Sequence, residues 1–246
     1  MTQGDSPLFP AGPLPLTGER TIPGVASENY WFRRHEAAYR FAVGRTRGRV
    51  LDVGCGEGYG TAMLAEGRTV TALELDPSAA LHAAARYPAV RMVRADACRI
   101  PFRPKAFDGV VALQVLEHLW CVDRFLEGVR DSLAPGGAFV LSTPNRETFS
   151  PDGVRNPFHS HEFTAGELTT LLADAFPAVE VVGVRHGLYL RSLDVLAEGS
   201  LQHFLMRTAY EALPSKLRTG VDLVRADHFA IGPADGALDL LAVATA

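Results

Sequence analysis

Two histidines and a glutamate stand close together in NPFHSHEF, residues 156–163. His159, His161 and Glu162 could ligate a metal, take a proton, or form the polar rim of a turn. A second pair, Glu117-His118, ends FDGVVALQVLEH, an apolar run with a polar tail. Imidazole titrates near neutral pH, so a histidine beside a reacting hydroxyl is a ready general base. HSH followed by Glu matches no standard zinc spacing, and no distant partner ligand is evident, so no obligatory metal is expected. The three cysteines, Cys55, Cys98 and Cys121, are odd in number and contain no C-x-x-C pair. Neither a zinc site nor a disulfide framework is expected, and a reducing cytoplasm fits.

The groups with the clearest ligand chemistry lie further upstream. RVLDVGCGEGYG, residues 49–60, places glycines at 54, 56, 58 and 60 after an apolar run. Gly54 and Gly56 allow a tight turn and close approach of backbone to ligand. A dinucleotide loop, GxGxxG, requires glycine where this chain has Tyr59. Asp52, two residues before the first glycine, is awkward beside a pyrophosphate but suits a cationic ligand. Glu74 lies about 20 residues beyond the loop, where an acid accepts ribose hydroxyls. Asp96, at the end of VRMVRAD, could accept from an adenine amino group or simply cap a turn. Asp76, before Pro77, reads as a helix N-cap. Acids on successive strand ends describe a ligand with adenine, a ribose and a cationic tail, and S-adenosylmethionine has those parts.

These residues need a scaffold that brings strand ends together. From residue 49 on, short apolar runs alternate with helical patterns. RVLDVG, TVTALEL, VRMVRAD, FDGVVALQ, GAFVLST, VEVVGV and LDLLAVA read as strands, and GTAMLAE, PSAALHAAARY, DRFLEGVRDSL and AGELTTLLADAF as helices. Near-continuous apolar strands alternating with helices predict a parallel sheet covered on both faces. Thr164 and Glu167 form a capping box, with Phe163 and Leu168 at the staple positions. NPFHSHEF therefore falls between the fifth strand and a capped helix, on the carboxyl edge where such sheets bind ligands. Residues 188–232 interrupt the rhythm with helical patterns. Residues 1 to about 24 are rich in proline and glycine and are expected to be extended until they dock. SENYWFRRHEAAYRFAVG then reads as a helix from about Ser27, carrying Tyr30, Trp31, Phe32, Arg33, Arg34 and His35.

Composition narrows the partners. Of 246 residues, 47% are hydrophobic and 21% charged, which suits a globular domain. A net charge of −4 offers no basic excess for a nucleic-acid backbone. The first ten residues contain no lysine or arginine and no long apolar run, so no secretory signal is expected. No stretch approaches the roughly 18 apolar residues of a membrane span.

Taken together, LDVGCGEG, LELDPS, RADACRIPF, FDGVVALQVLEHL and LAPGGAFVLSTPNR resemble the successive motifs of class I S-adenosylmethionine-dependent methyltransferases. The resemblance implies a doubly wound, Rossmann-like α/β sheet of seven strands, the last antiparallel, with LDLLAVA in that role. It divides the chain into an arm and lid helix at 1–48 and a core at 49–246, with the insertion at 188–232. It places Asp52, Gly54, Cys55 and Gly56 at the methionine end of S-adenosylmethionine, Glu74 and Leu75 at the ribose, Asp96 and Ala97 at the adenine, and Gln114 beside them. TGERTIPG, the aromatic–arginine helix, VLEHL and NPFHSHEF further resemble methyltransferases that modify sugar hydroxyls on glycans, and most of all those acting on the mycofactocin oligosaccharide. That resemblance implies an oligosaccharide or small-molecule acceptor.

A sugar hydroxyl must be placed in line with the methyl and must lose its proton. The expected base is His118, oriented by Glu117, with His161 second, Glu162 a sugar ligand and His159 a solvated loop residue. Arg33, Arg34 and His35 are expected on a lid, closing over the cofactor carboxylate or contacting the glycan, with Tyr30, Trp31 and Phe32 free to stack on sugars. Some quinone methyltransferases hold a divalent metal with a glutamate followed three residues later by Glu-His; here the first glutamate is Gln114. An assisting Mg²⁺, a quinone or phenol acceptor, a non-catalytic S-adenosylmethionine-binding protein, and an NAD-dependent oxidoreductase all stay open on the residues alone.

Overall fold

The computed structural model describes residues 14–16 and 20–246. Residues 1–13 and 17–19 of the expected N-terminal arm lie outside the described residues.

Among the described residues the core is one eight-stranded sheet in the order β3-β2-β1-β4-β5-β8-β6-β7. Its strands are β1 (Arg49–Val53), β2 (Thr69–Glu74), β3 (Arg91–Arg94), β4 (Phe107–Leu113), β5 (Leu133–Pro144), β6 (Ala178–His186), β7 (Phe229–Gly232) and β8 (Asp239–Thr245). β1 to β5 pair in parallel, and β8 runs antiparallel between β5 and β6. The expected antiparallel strand LDLLAVA is thus in place. The count of seven is corrected to eight by β7, which pairs antiparallel with the outer side of β6. β7 is only four residues long and closes the stretch expected to be helical throughout, too short to impose a period of two.

The helices are α1 (Asn29–Val43), α2 (Tyr59–Leu64), α3 (Pro77–Arg86), α4 (Val122–Ser132), α5 (Arg146–Phe149), α6 (Ala165–Ala175), α7 (Leu188–Leu196), α8 (Leu201–Arg207) and α9 (Ser215–Asp222). Alternating side chains send Val50 to one face of the sheet, and Leu51 and Val53 to the other. On the first face Tyr30, Ala38 and Ala42 of α1 pack with Leu190 and Leu193 of α7, Leu201 of α8, and Leu217 and Val221 of α9. On the second, Phe125 and Val129 of α4 meet Leu168 and Leu172 of α6. The capping box of α6 is present, with Thr164 and Glu167 bonded reciprocally, and both staple residues are buried in the same core.

α1 is bound into the core by a polar joint. The Arg34 guanidinium, nearly buried, pairs with both oxygens of Asp239 at the start of β8. It also donates to Gln202 of α8 at 2.6 Å and to the Leu238 carbonyl at 3.0 Å. Tyr30 is fully buried and bonds His186 at 2.7 Å. These contacts make α1 a wall of the fold. The cysteine expectation is also corrected: Cys98 and Cys121 form a disulfide, their Cα atoms 5.9 Å apart. The bridge ties the turn after Asp96 to the segment after His118, two loops whose meeting no local spacing announces, and it removes the argument from cysteine usage to a reducing compartment.

Candidate active site

A cleft of about 960 Å³ opens along the carboxyl ends of β1, β2, β3 and β4. Its floor begins with the glycine loop. Gly54 and Gly56 have φ of +70° and +56°, a region that L-residues with a Cβ rarely occupy. A Cβ on Gly54 would also stand 2.5 Å from Val115. The loop is braced by Glu74, whose carboxylate accepts from the backbone N–H of Gly56 at 2.8 Å and of Leu75 and Asp76 at 2.9 Å. Asp76 caps α3 as expected, accepting from Ser78 at 2.8 Å, and pairs with Arg20. Asp96 accepts from Cys98 N–H at 2.8 Å and so caps a short turn while facing the cleft. Leu75, 60% exposed, and Ala97 line the cleft beyond the ends of β2 and β3.

Most expected cofactor residues therefore line one cavity: Gly54, Cys55, Gly56, Glu74, Leu75, Asp96, Ala97 and Gln114. Asp52 departs from the expectation. It is fully buried behind the loop, accepting from Thr61 at 2.5 Å and Tyr39 at 3.3 Å, and it is not among the lining residues. Its contribution is to hold the loop from beneath. Burial pushes its carboxyl up to about 7. Gln114 adopts φ +57°, held by its N–H to the Ser142 carbonyl at 2.9 Å and by its amide to the Ser142 hydroxyl at 3.1 Å. Tyr59, the residue that breaks GxGxxG, has a positive role: its hydroxyl meets Thr21 at 2.7 Å and His35 at 2.6 Å, pinning the N-terminal strap and α1 to the loop.

The far wall comes from two loops. The turn Leu116–His118 after β4 carries Glu117 and His118. NPFHSHEF is pinned onto it, the N–H groups of Ser160 and His161 both donating to the Glu117 carbonyl at 2.7 and 3.2 Å. This contact answers which of the loop's histidines face the site. His159 is buried and lines the cleft, whereas His161 is exposed, rests on Phe163 and lies outside the lining set. The expectation is thereby reversed: His159 is the inward residue and His161 the solvated one. Glu162 is buried and accepts from His159 Nδ1 at 2.8 Å, so it orients an imidazole and does not face an acceptor.

His118 lines the cleft as expected, but its orienting partner is the Phe158 carbonyl, 3.0 Å from Nδ1. Glu117 instead accepts from Thr143 at 3.1 Å. With 1% exposure, burial pushes Glu117 up to about 8. Burial likewise lowers His159, which therefore stays neutral at neutral pH. One ligating atom from each of Glu117, His118 and His159 lies within 4.8 Å of the other two. Of the expected lid residues, Trp31, Arg34 and His35 reach the cleft, while Arg33 pairs with Glu36 on the outer side. His35 is half-buried on the cleft wall, and desolvation lowers its pKa to about 4. Phe158, 53% exposed, and Trp120, 76% exposed, stand on the two histidine loops; neither was singled out from sequence, because an aromatic in a loop has no periodicity to mark it.

The cleft suits a sulfonium nucleoside: a glycine cradle, a carboxylate beside it, and Leu75 and Ala97 on its lining. Residues 51–141 match the methyltransferase domain family. The chain is 45% identical over 243 residues to a probable S-adenosylmethionine-dependent methyltransferase of Mycolicibacterium smegmatis, covering 94% of this chain and 95% of the relative. It is 41% identical over 260 residues to another of Mycobacterium tuberculosis, covering 99% and 95%. A solved methyltransferase of Thermotoga maritima, described as a possible histamine N-methyltransferase, shares the fold with a TM-score of 0.61 at 17% identity, over 87% of this chain and 92% of that one. With nearly full-length relatives of this kind, the chain belongs to the class I S-adenosylmethionine-dependent methyltransferases.

Proposed function

We propose that the enzyme methylates a sugar hydroxyl of a glycan, the mycofactocin oligosaccharide being an acceptor of that class. The observation that carries this reading is the facing of the glycine-loop floor by an imidazole wall in a single cavity. S-adenosylmethionine supplies an electrophilic methyl when bound. The chain's own part is to hold the acceptor oxygen near that methyl and to take its proton. His118 Nδ1 donates to the Phe158 carbonyl, which leaves Nε2 as the acceptor of the neutral ring. Phe158 and Trp120, exposed on the same two loops, offer faces on which a sugar ring can stack.

The test is turnover to S-adenosylhomocysteine with glucose-containing oligosaccharides and, in parallel, with catechols and quinols. Methylation of the phenols alone would replace the sugar reading with the phenol one. His118→Ala should leave cofactor affinity unchanged and lower kcat by about 10²-fold, the lower end of general-base contributions. If it is silent while His159→Ala is not, the base is His159.

A further inference from the structure

We infer that Glu117, His118 and His159 form a divalent-cation site on the acceptor wall of the cleft. Three observations place it there. Ligating atoms of the three side chains converge within 4.8 Å. Both imidazoles are set by outer partners: His118 Nδ1 meets the Phe158 carbonyl at 3.0 Å, and His159 Nδ1 meets the Glu162 carboxylate at 2.8 Å. Carbonyl and carboxylate oxygens only accept, so each Nδ1 carries the hydrogen and each Nε2 holds a lone pair. A carboxylate or carbonyl behind each ligating histidine is the arrangement that fixes ring orientation in metal sites. Third, the Glu117 carboxylate is 1% exposed, with Thr143 its one side-chain donor among the described residues. A carboxylate buried with so little compensation is stabilised by a cation.

The donor set selects the ion. Two imidazoles and one carboxylate suit a borderline transition metal such as Mn²⁺, Fe²⁺, Co²⁺ or Zn²⁺, whereas Mg²⁺ and Ca²⁺ favour all-oxygen shells. Three protein ligands on one side leave positions open toward the cavity, as in catalytic sites. On the proposed sugar reading, on which this part rests, those positions take two neighbouring hydroxyls of the acceptor. That would set which hydroxyl faces the methyl. Coordination acidifies the bound hydroxyl, and its proton passes to solvent water. In the loaded enzyme His118 is then a ligand, and in the stripped enzyme it is the base.

The experiment strips the full-length protein with a chelator and titrates Mn²⁺, following loss of the free-ion resonance signal, with Zn²⁺ calorimetry alongside. One ion should bind per chain. Glu117→Gln and His159→Ala should each weaken binding by about tenfold or more, and Glu162→Ala, which of the three ligands contacts His159 alone, by about tenfold. His161→Ala, outside the cleft, should leave it unchanged. Calorimetry with S-adenosylmethionine checks that each variant is folded. No saturable binding, or binding indifferent to Glu117→Gln and His159→Ala, overturns the site. Saturable binding without methylation of any sugar leaves the site standing and removes the sugar acceptor. Full sugar methylation by chelator-stripped protein that binds no ion does the reverse.

Discussion

Glu74 meets its donors within 18 residues of itself, on the loop it braces and on the two residues that follow it. Arg34 meets Asp239 across 205 residues, and His118 meets Phe158 across 40. The cofactor side of the cleft is thus built by neighbours in the chain, with backbone groups as the main partners. The acceptor side is assembled by side chains from α1, two loops, α8 and β8. Local construction makes the first side sturdy, whereas the second depends on the whole fold.

The largest effect should come from the joint that holds the acceptor side. Removing Arg34 leaves Asp239 buried and uncompensated, a loss of about 3–5 kcal/mol for pairs of this kind. Arg34→Met should therefore lower thermal stability sharply and raise amide exchange in α8 and in residues 188–232. Cofactor binding by the molecules that remain folded should persist. The double variant Arg34→Met with Asp239→Leu should recover most of the stability, since a hydrophobic pair can replace a buried ion pair. Exchange that rises equally in β1, β2 and the glycine loop would abolish the distinction between the two sides.

The disulfide is the one covalent tie between those sides. It closes a loop between residues 23 apart, which in the chain-entropy account contributes about 3 kcal/mol. Reduction or Cys98→Ser should lower Tm by about 6–12 °C for a chain of this size, measured with and without thiol. It should also weaken cofactor binding modestly, because Asp96 and Ala97 sit on the tethered turn. An unchanged Tm in the reduced protein would show that packing alone sets these loops.

Glu74→Gln tests the cofactor side by itself. A carboxylate accepting three backbone N–H groups is replaced by an amide whose NH₂ must face one of those donors. Hydrogen bonds to a charged group contribute about 1.5–3 kcal/mol, so affinity for S-adenosylmethionine should fall by about ten- to a hundredfold in calorimetry. Exchange in residues 188–232 should not move.

The same division explains what could be read before the structure. Alternating strands and helices, the glycine loop, Glu74 and the α6 capping box depend on residues near one another in sequence, and all are found where expected. In an irregular loop no period says which side chain turns inward, so neither the inward His159 nor its contact with Glu162 is legible in NPFHSHEF. Arg33 and Arg34 are adjacent on a helix, and only the position of Asp239 decides that Arg34 is the buried one. Cys98 and Cys121 meet because α4 packs beside the turn after β3, a fact of tertiary structure. The strand that carries Asp52 is legible in the sequence, but its enclosure by Tyr39 and Thr61 is not.

Asp52 provides a slope in place of a step. Its carboxyl titrates near 3.8 when unfolded and at about 7 in the fold. Between those values the folded state holds the proton more tightly, so its contribution to stability is full below about pH 4 and is lost as pH rises to about 7. The slope for one proton is about 1.4 kcal/mol per pH unit at most. Glu117, raised to about 8, adds a fall of the same sign, and His35, lowered to about 4, opposes both below about pH 6.5. The direct measure is therefore the difference between wild type and Asp52→Asn, both without cofactor. That difference should decline from about pH 4 to 7 and be flat above, whatever the other two groups do. A flat difference throughout would mean that Asp52 is ionised in the fold, with a cation or water beneath the glycine loop, and the cofactor floor would then rest on charge and not on a neutral hydrogen-bonded acid.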